Sequence, residues 1–268
     1  MTSISLTTRR DFLRIGGLTL ALSPWSRAVE SSSGAFEFIV VNDTHYIDEM
    51  CKPWHSLAAS AMHASAPEAR FCAHAGDVAD NGSEEACAMV KEIYTAATER
   101  LYTVPGNHDY LTSDDRSGYD KVFPERLNYA FQELEWQFLA LDTTQGTQFD
   151  LTDISPATLT WLDQNLAKLD RKAPTFVFTH FPLGEGAVYR PRNADALVQR
   201  LLGLNVAWIH CGHWHGESTR PAGRLTASTS RCCARLRENR DGSPLKGWHI
   251  YRAEADGKLS RRFVARPA

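Results

Sequence analysis

No stretch of this 268-residue chain reaches the roughly 18 consecutive apolar residues that a membrane-spanning helix requires. A surplus of positive charge is also lacking. The 29 Lys and Arg stand against 32 Asp and Glu, a net of −3, which gives no pointer to nucleic acid. There is no nucleophile elbow and no glycine-rich phosphate loop followed by lysine, so the sequence carries no sign of a covalent enzyme intermediate. Cysteine is sparse: Cys51, Cys72, Cys87, Cys211, Cys232 and Cys233 permit 15 complete disulfide pairings, and the sequence selects none. Cys72 and Cys211 lie in apolar runs, which favours buried free thiols. No internal repeat stands out, and no linker follows residue 34.

What is present is a globular composition, 43% hydrophobic and 10% aromatic, which argues against disorder. Residues 1–28 read as a targeting segment. Thr8-Arg9-Arg10-Asp11-Phe12-Leu13-Arg14 resembles the twin-arginine export signal. The apolar stretch Ile15 to Leu22 follows, and Ser26-Arg27-Ala28 offers small residues where a signal peptidase reads. The sequence therefore predicts an exported, periplasmic protein, with a leader over 1–28, a connector over 29–34 and one domain over 35–268. Without the leader, 25 basic and 31 acidic residues leave a net of −6.

Apolar runs alternate with helical patterns. Strands are predicted over 35–41, 70–75, 101–104, 175–179 and 205–210, and paired strands over 128–134 and 136–141. Helices are predicted over 54–66, 84–98 with Ser83 as N-cap, from Pro156 onward, and over 193–202. The last third adds short strands over 224–229, 248–253 and 258–264. This alternation indicates an α/β fold with ligands at the C-terminal edge of a sheet, and the late strands suggest a second sheet packed on the first.

Five segments carry chemistry, each just beyond an apolar run: Asp43-Thr44-His45, Gly76-Asp77-Val78-Ala79-Asp80, Gly106-Asn107-His108-Asp109, Thr179-His180 and Gly212-His213-Trp214-His215. Singly each is common. In this order, each at a strand end, they form a mixed imidazole and carboxylate set that suits iron, manganese or zinc better than calcium or magnesium. The glycines let the chain turn as it leaves each strand.

Taken together, these segments resemble the calcineurin-like metallophosphoesterase superfamily from about Phe36 to about His215, and most nearly its small bacterial cyclic-nucleotide-phosphodiesterase-like branch (class III). The resemblance implies a four-layer α/β/β/α sandwich of two mixed sheets with a dinuclear metal site. Carried over by motif, Asp43, His45, Asp77 and His215 would hold one metal, and Asp77, Asn107, His180 and His213 the other, with Asp77 bridging. His108 would assist the leaving group, and Asp109 would orient that imidazole or a metal ligand, or cap the loop. The implied reaction is in-line attack on a phosphomonoester or phosphodiester by hydroxide generated at the two-metal centre. Purple acid phosphatases have a Tyr ligand three residues after the bridging Asp. Here Asp80 stands at that position, which favours the diesterase branch and a supporting role for Asp80.

Other residues have plainer readings. His55 and His63 are predicted to face solvent, His74 and His210 to pack near the motifs, and Trp214 to form a pocket wall. Tyr46, Tyr110, Tyr189, Arg190 and Arg192 sit in segments that could overhang the metals. The rival reading is a non-catalytic metal- or phosphate-binding protein on the same scaffold. The complete motif set opposes it, and the acidic balance opposes a nuclease.

Overall fold

The run Phe36–Val41 forms strand β1 in a computed structural model that describes residues 34–268. The leader expected over 1–28, and all of the connector except Gly34, lie outside the described residues. Along the chain follow α1 (Lys52–Ser65), β2 (Cys72–Ala75), α2 (Glu84–Thr98), β3 (Leu101–Val104), α3 (Ser117–Val122), β4 (Tyr129–Glu133) and β5 (Trp136–Leu141). Then come α4 (Pro156–Asn165), β6 (Thr175–Thr179), α5 (Ala194–Leu201), β7 (Val206–Cys211), β8 (Ser218–Ala222), β9 (Leu225–Thr229), β10 (Gly247–Ala253) and β11 (Leu259–Ala265).

Successive side chains of a strand face opposite sides, and β1 shows what happens when both sides are dry. Phe36, Phe38 and Val40 enter one core, while Ile39 and Val41 enter another. The same division splits Phe138 from Leu139 in β5 and Phe176 from Val177 in β6. This is why these segments read as continuous apolar runs.

Two mixed sheets result, ordered β11-β10-β1-β2-β3 and β4-β5-β6-β7-β9-β8. Between them lies an aromatic core. The Phe38 ring stands 4.9 to 5.2 Å from those of Phe71, Phe138, Phe176 and Tyr251. Outside the first sheet, α1, α2 and α3 bury Met62, Val90, Tyr94 and Tyr119. Outside the second, α4 and α5 bury Leu162, Leu197 and Leu201. The architecture is the four-layer sandwich. Among the described residues no helix is long and apolar enough to cross a membrane.

Local chemistry starts the helices where expected. Ser83 accepts from the Ala86 N–H at 3.3 Å, and Glu84 and Glu85 oppose the α2 dipole. Ser155 accepts from the Ala157 N–H at 3.0 Å, with Pro156 at the first helical position. One strand escapes the sequence pattern. β8 contains Pro221, which argues against a strand interior, but β8 is an edge strand paired only with β9, where a missing N–H is tolerated.

His55 corrects another expectation. It is fully buried in α1, with Nδ1 2.9 Å from the Tyr94 hydroxyl. An imidazole on a helix packed between a sheet and a second helix reads like a surface residue until its partner, 39 positions away, is known. Tyr46 is likewise buried rather than overhanging, because its backbone bridges to Ala79. All six cysteines are buried and free.

Candidate metal centre

Parallel pairing of β1 with β2 and β2 with β3 aligns their C-terminal ends, and the same holds for β6 and β7. The segments that leave these strands stay tied. The Asp43 N–H donates to the Gly76 carbonyl, the His45 N–H to the Asp77 carbonyl and the Gly212 N–H to the His180 carbonyl, each at 3.0 Å. Five motif residues then take left-handed backbone conformations: Asp43 (φ 53°), His45 (45°), Asp77 (53°), His213 (67°) and His215 (49°). Non-glycine residues there cost of order 1–3 kcal/mol each. The surrounding ladder holds them in place.

Two motif glycines do more than turn. A Cβ on Gly106, whose φ is ordinary, would stand 2.1 Å from Asp77 Oδ1. One on Gly76, at φ +86°, would stand 2.5 Å from His180 Nδ1. Only a bare backbone lets these groups approach so closely.

The structure gathers all seven expected ligands and sorts them into two lobes. Asp43, His45, Asp77 and His215 offer atoms to one, and Asp77, His180 and His213 to the other. Asn107 joins the second lobe, its Oδ1 3.3 Å from His180 Nε2. Asp77 serves both: Oδ2 is 3.4 Å from His45 Nε2, and Oδ1 is 3.4 Å from His180 Nε2.

The outer hydrogen bonds fix which ring nitrogens face inward. His180 Nδ1 donates to the Ala75 carbonyl at 2.9 Å, and His213 Nε2 to the Phe149 carbonyl at 2.8 Å. In the neutral rings the inner nitrogens then present lone pairs to each other at 3.2 Å. His45 Nε2 and His215 Nε2 similarly converge to 3.1 Å. Facing lone pairs beside carboxylates need a positive charge between them, so the donor set fits a cation in each lobe. The field agrees. Burial acts to lower His180, yet Asp77 leads the groups that raise it to about 9. Burial opposes His215 as well, yet Asp43 raises it to about 11.

His108 stands at the edge, its ring 4.7 Å from that of His45 and its side chain partly exposed. Its N–H donates to Asp77 Oδ1 at 2.9 Å, and its Nδ1 to the Asp80 carbonyl at 3.1 Å. No hydrogen bond joins Asp109 to this imidazole, and of the roles expected of it the loop cap is the one its contacts show. The buried Asp109 carboxylate accepts instead from the N–H groups of Gly106 (2.8 Å), Val78 (3.1 Å) and Ala79 (2.8 Å), clasping two motif loops together. Burial and the charge of Asp77 push its carboxyl up to about 7 against those three donors.

Asp80 is the orienting carboxylate. Its Oδ1 lies 2.9 Å from His45 Nδ1 and 3.6 Å from His108 Nδ1, and it pairs with Arg237. Asp80, His45 and His108 come close enough to resemble a third cation site. The Arg237 guanidinium already supplies the positive charge there.

The cleft encloses about 350 Å³, and Tyr110 and Tyr189 line it as expected. Arg190 and Arg192 do not: they pair with Asp195 and Asp153. Trp214 lies against Gly216 and is not a wall of the cleft. The arginines that do line it are Arg237 and Arg240, from the segment between β9 and β10. Sequence reasoning missed both, because nothing in that polar segment marks it as returning to motifs about 160 residues earlier. Phe149 also lines the cleft, and its apolar side chain is exposed.

The profile of the family described as calcineurin-like phosphoesterase matches residues 36–217. The chain is 30% identical over 153 residues to a protein of Fibrobacter succinogenes named a probable cyclic nucleotide phosphodiesterase, covering 54% of this chain and 57% of that relative. It is 24% identical over 211 residues to a 3',5'-cyclic-nucleotide phosphodiesterase of Nostoc sp., covering 75% and 78%. The match thus spans little more than half the length of the Fibrobacter relative. In fold, the chain is similar to purple acid phosphatase PPD1 from yellow lupin, with a TM-score of 0.60, 15% identity, and coverage of 86% of this chain and 52% of that one.

Proposed function

The chain belongs to the calcineurin-like phosphoesterase family, and from that membership and the site geometry we propose that it is a two-metal hydrolase of phosphate esters, phosphodiesters foremost. One observation carries the reading: the two oxygens of Asp77 face two separate imidazole-lined lobes, with His108 beside them. The named activities of the Nostoc and Fibrobacter relatives favour diesters over monoesters.

Two first-row cations, iron, manganese or zinc by the ligand set, would supply Lewis acidity and an activated water. The chain's own residues do the rest. Asp43, His45, Asp77 and His215 on one side, and Asp77, Asn107, His180 and His213 on the other, would hold the two cations whose charge offsets that of a phosphoryl group. His108 has Nδ1 occupied by the Asp80 carbonyl, so Nε2 is the nitrogen left to carry a proton to a departing alkoxide. The Asp80 carboxylate aligns His45, its Oδ1 accepting from His45 Nδ1 at 2.9 Å.

The test is a metal-reconstituted assay with matched mono- and diester substrates, wild type against His108→Ala. Turnover of the diester above the monoester supports the reading. A protein that binds metal and turns over neither is the non-catalytic binder instead.

Export is part of the proposal and rests on Thr8 to Arg14 and the short apolar stretch that follows. Arg9→Lys with Arg10→Lys should retain the protein in the cytoplasm. Normal export of that variant would remove the twin-arginine reading.

A further inference from the structure

We propose that Arg240 and Tyr189 form a second anion subsite beside the metal cleft, which takes a carboxylate or further phosphate on one arm of the ester. The inference rests on the phosphoesterase reading and deepens it by naming a substrate class.

Two arginines line the cleft, and they are not equivalent. Arg237 gives its guanidinium to Asp80 through Nε, at 3.1 Å, and through Nη2. Its charge is used in holding the orienting carboxylate. Arg240 has no acidic partner among the described residues. Its backbone is nevertheless fixed to the centre, because its N–H donates to the His215 carbonyl at 2.8 Å.

Its side chain stacks on an aromatic ring. The guanidinium lies 5.1 Å from the centre of the Tyr189 ring. Tyr189 holds a left-handed backbone at φ 62°, with its ring 5.1 Å from that of His213 and 6.2 Å from that of Phe149. Stacking on an aromatic face orients a guanidinium while its N–H edge stays free for an anion. The free cation therefore stacks on the ring that packs against His213, and it lines the same cleft as the metal-facing imidazoles. An ester whose only charge is the scissile phosphate brings no further anion for it to pair with. An ester with a second anion on an arm does, and the arm would lie against the Tyr189 and Phe149 rings, which line the same cleft.

The experiment uses the manganese-loaded protein and 4-nitrophenyl phosphodiesters whose other arm is methyl, 2-carboxyethyl or 4-carboxybutyl. Wild type is compared with Arg240→Met and Arg240→Lys. Arg240→Met should lower kcat/KM about tenfold for at least one carboxylate-bearing ester and leave the methyl ester within about twofold, with Arg240→Lys in between. Equal loss on all three esters, or no loss on any, would overturn the subsite.

Calorimetric binding of the corresponding non-hydrolysable phosphonates reads the subsite without turnover. There, loss of the carboxylate preference in Arg240→Met supports it, and unchanged relative affinities overturn it. A wild type that turns over none of the esters counts against the hydrolase reading alone. The calorimetry still decides the subsite.

Discussion

His108 Nδ1 lies 3.1 Å from the backbone carbonyl oxygen of Asp80. A carbonyl only accepts, so this contact places a proton on Nδ1 and leaves Nε2 unengaged. The bond comes from the main chain, so it persists whatever the charge on the Asp80 side chain.

His108→Ala should lower kcat by about 10²–10⁴ for alkyl leaving groups, the usual range for a positioned acid. The loss should be much smaller for a 4-nitrophenyl leaving group, which needs no proton. Metal content should stay at the wild-type level, since His108 belongs to neither lobe. Equal losses on both leaving groups would assign His108 to phosphate binding instead.

The two lobes predict a stoichiometry. His215→Ala and His213→Ala should each bring the bound metal from two per chain towards one, because each removes a ligand from a different lobe. Asp77→Asn should weaken both. Elemental analysis after exhaustive dialysis checks this, and two tightly held ions in His213→Ala would contradict the assignment.

Asp109 makes a stability prediction. Asp109→Ala leaves the buried N–H groups of Gly106, Val78 and Ala79 without their acceptor. Each such group costs roughly 1–3 kcal/mol, so urea unfolding of the metal-free protein should show a loss of about 3 kcal/mol or more. Asp109→Asn keeps one acceptor oxygen and should lose less. Equal stability of Asp109→Ala and wild type would remove the clasp.

The pH dependence follows from buried neutral histidines. Burial, then His74, lowers His55 to about 3, and burial, then His249, drives His210 well below its ordinary value. The unfolded chain therefore takes up these protons below about pH 6.5, and the folded chain does not. Stability must fall as pH drops from about 6.5 towards 3, by ~1.4 kcal/mol per pH unit for each group. His55→Gln should remove its share of the slope in urea midpoints measured between pH 4 and 7. An unchanged slope would show that His55 is not held neutral.

The sequence by itself determined the strands and the residue types able to hold a metal. β1, β5 and β6 are dry on both faces, so apolar residues run without alternation and stop where the chain reaches the cleft. Asp43, Asp77, Asn107, His180 and His213 stand just beyond β1, β2, β3, β6 and β7, and their chemistry is legible because few other uses place so many imidazoles and carboxylates at strand ends. Ser83 and Pro156 likewise announce their helices through short-range chemistry.

What required the tertiary structure was every relation between residues far apart in the chain. Asp109 clasps loops 30 residues away, His55 finds Tyr94, and Arg237 and Arg240 return to the site from the segment between β9 and β10. Partners of this kind are chosen by sheet order and layer packing, which no local pattern encodes. The left-handed backbone at five motif residues belongs with them, since a local preference would forbid it and only the surrounding ladder imposes it. Residue type therefore determined which chemistry is available. Packing decided which nitrogen faces inward, which carboxylate orients His45 and which arginine is left free.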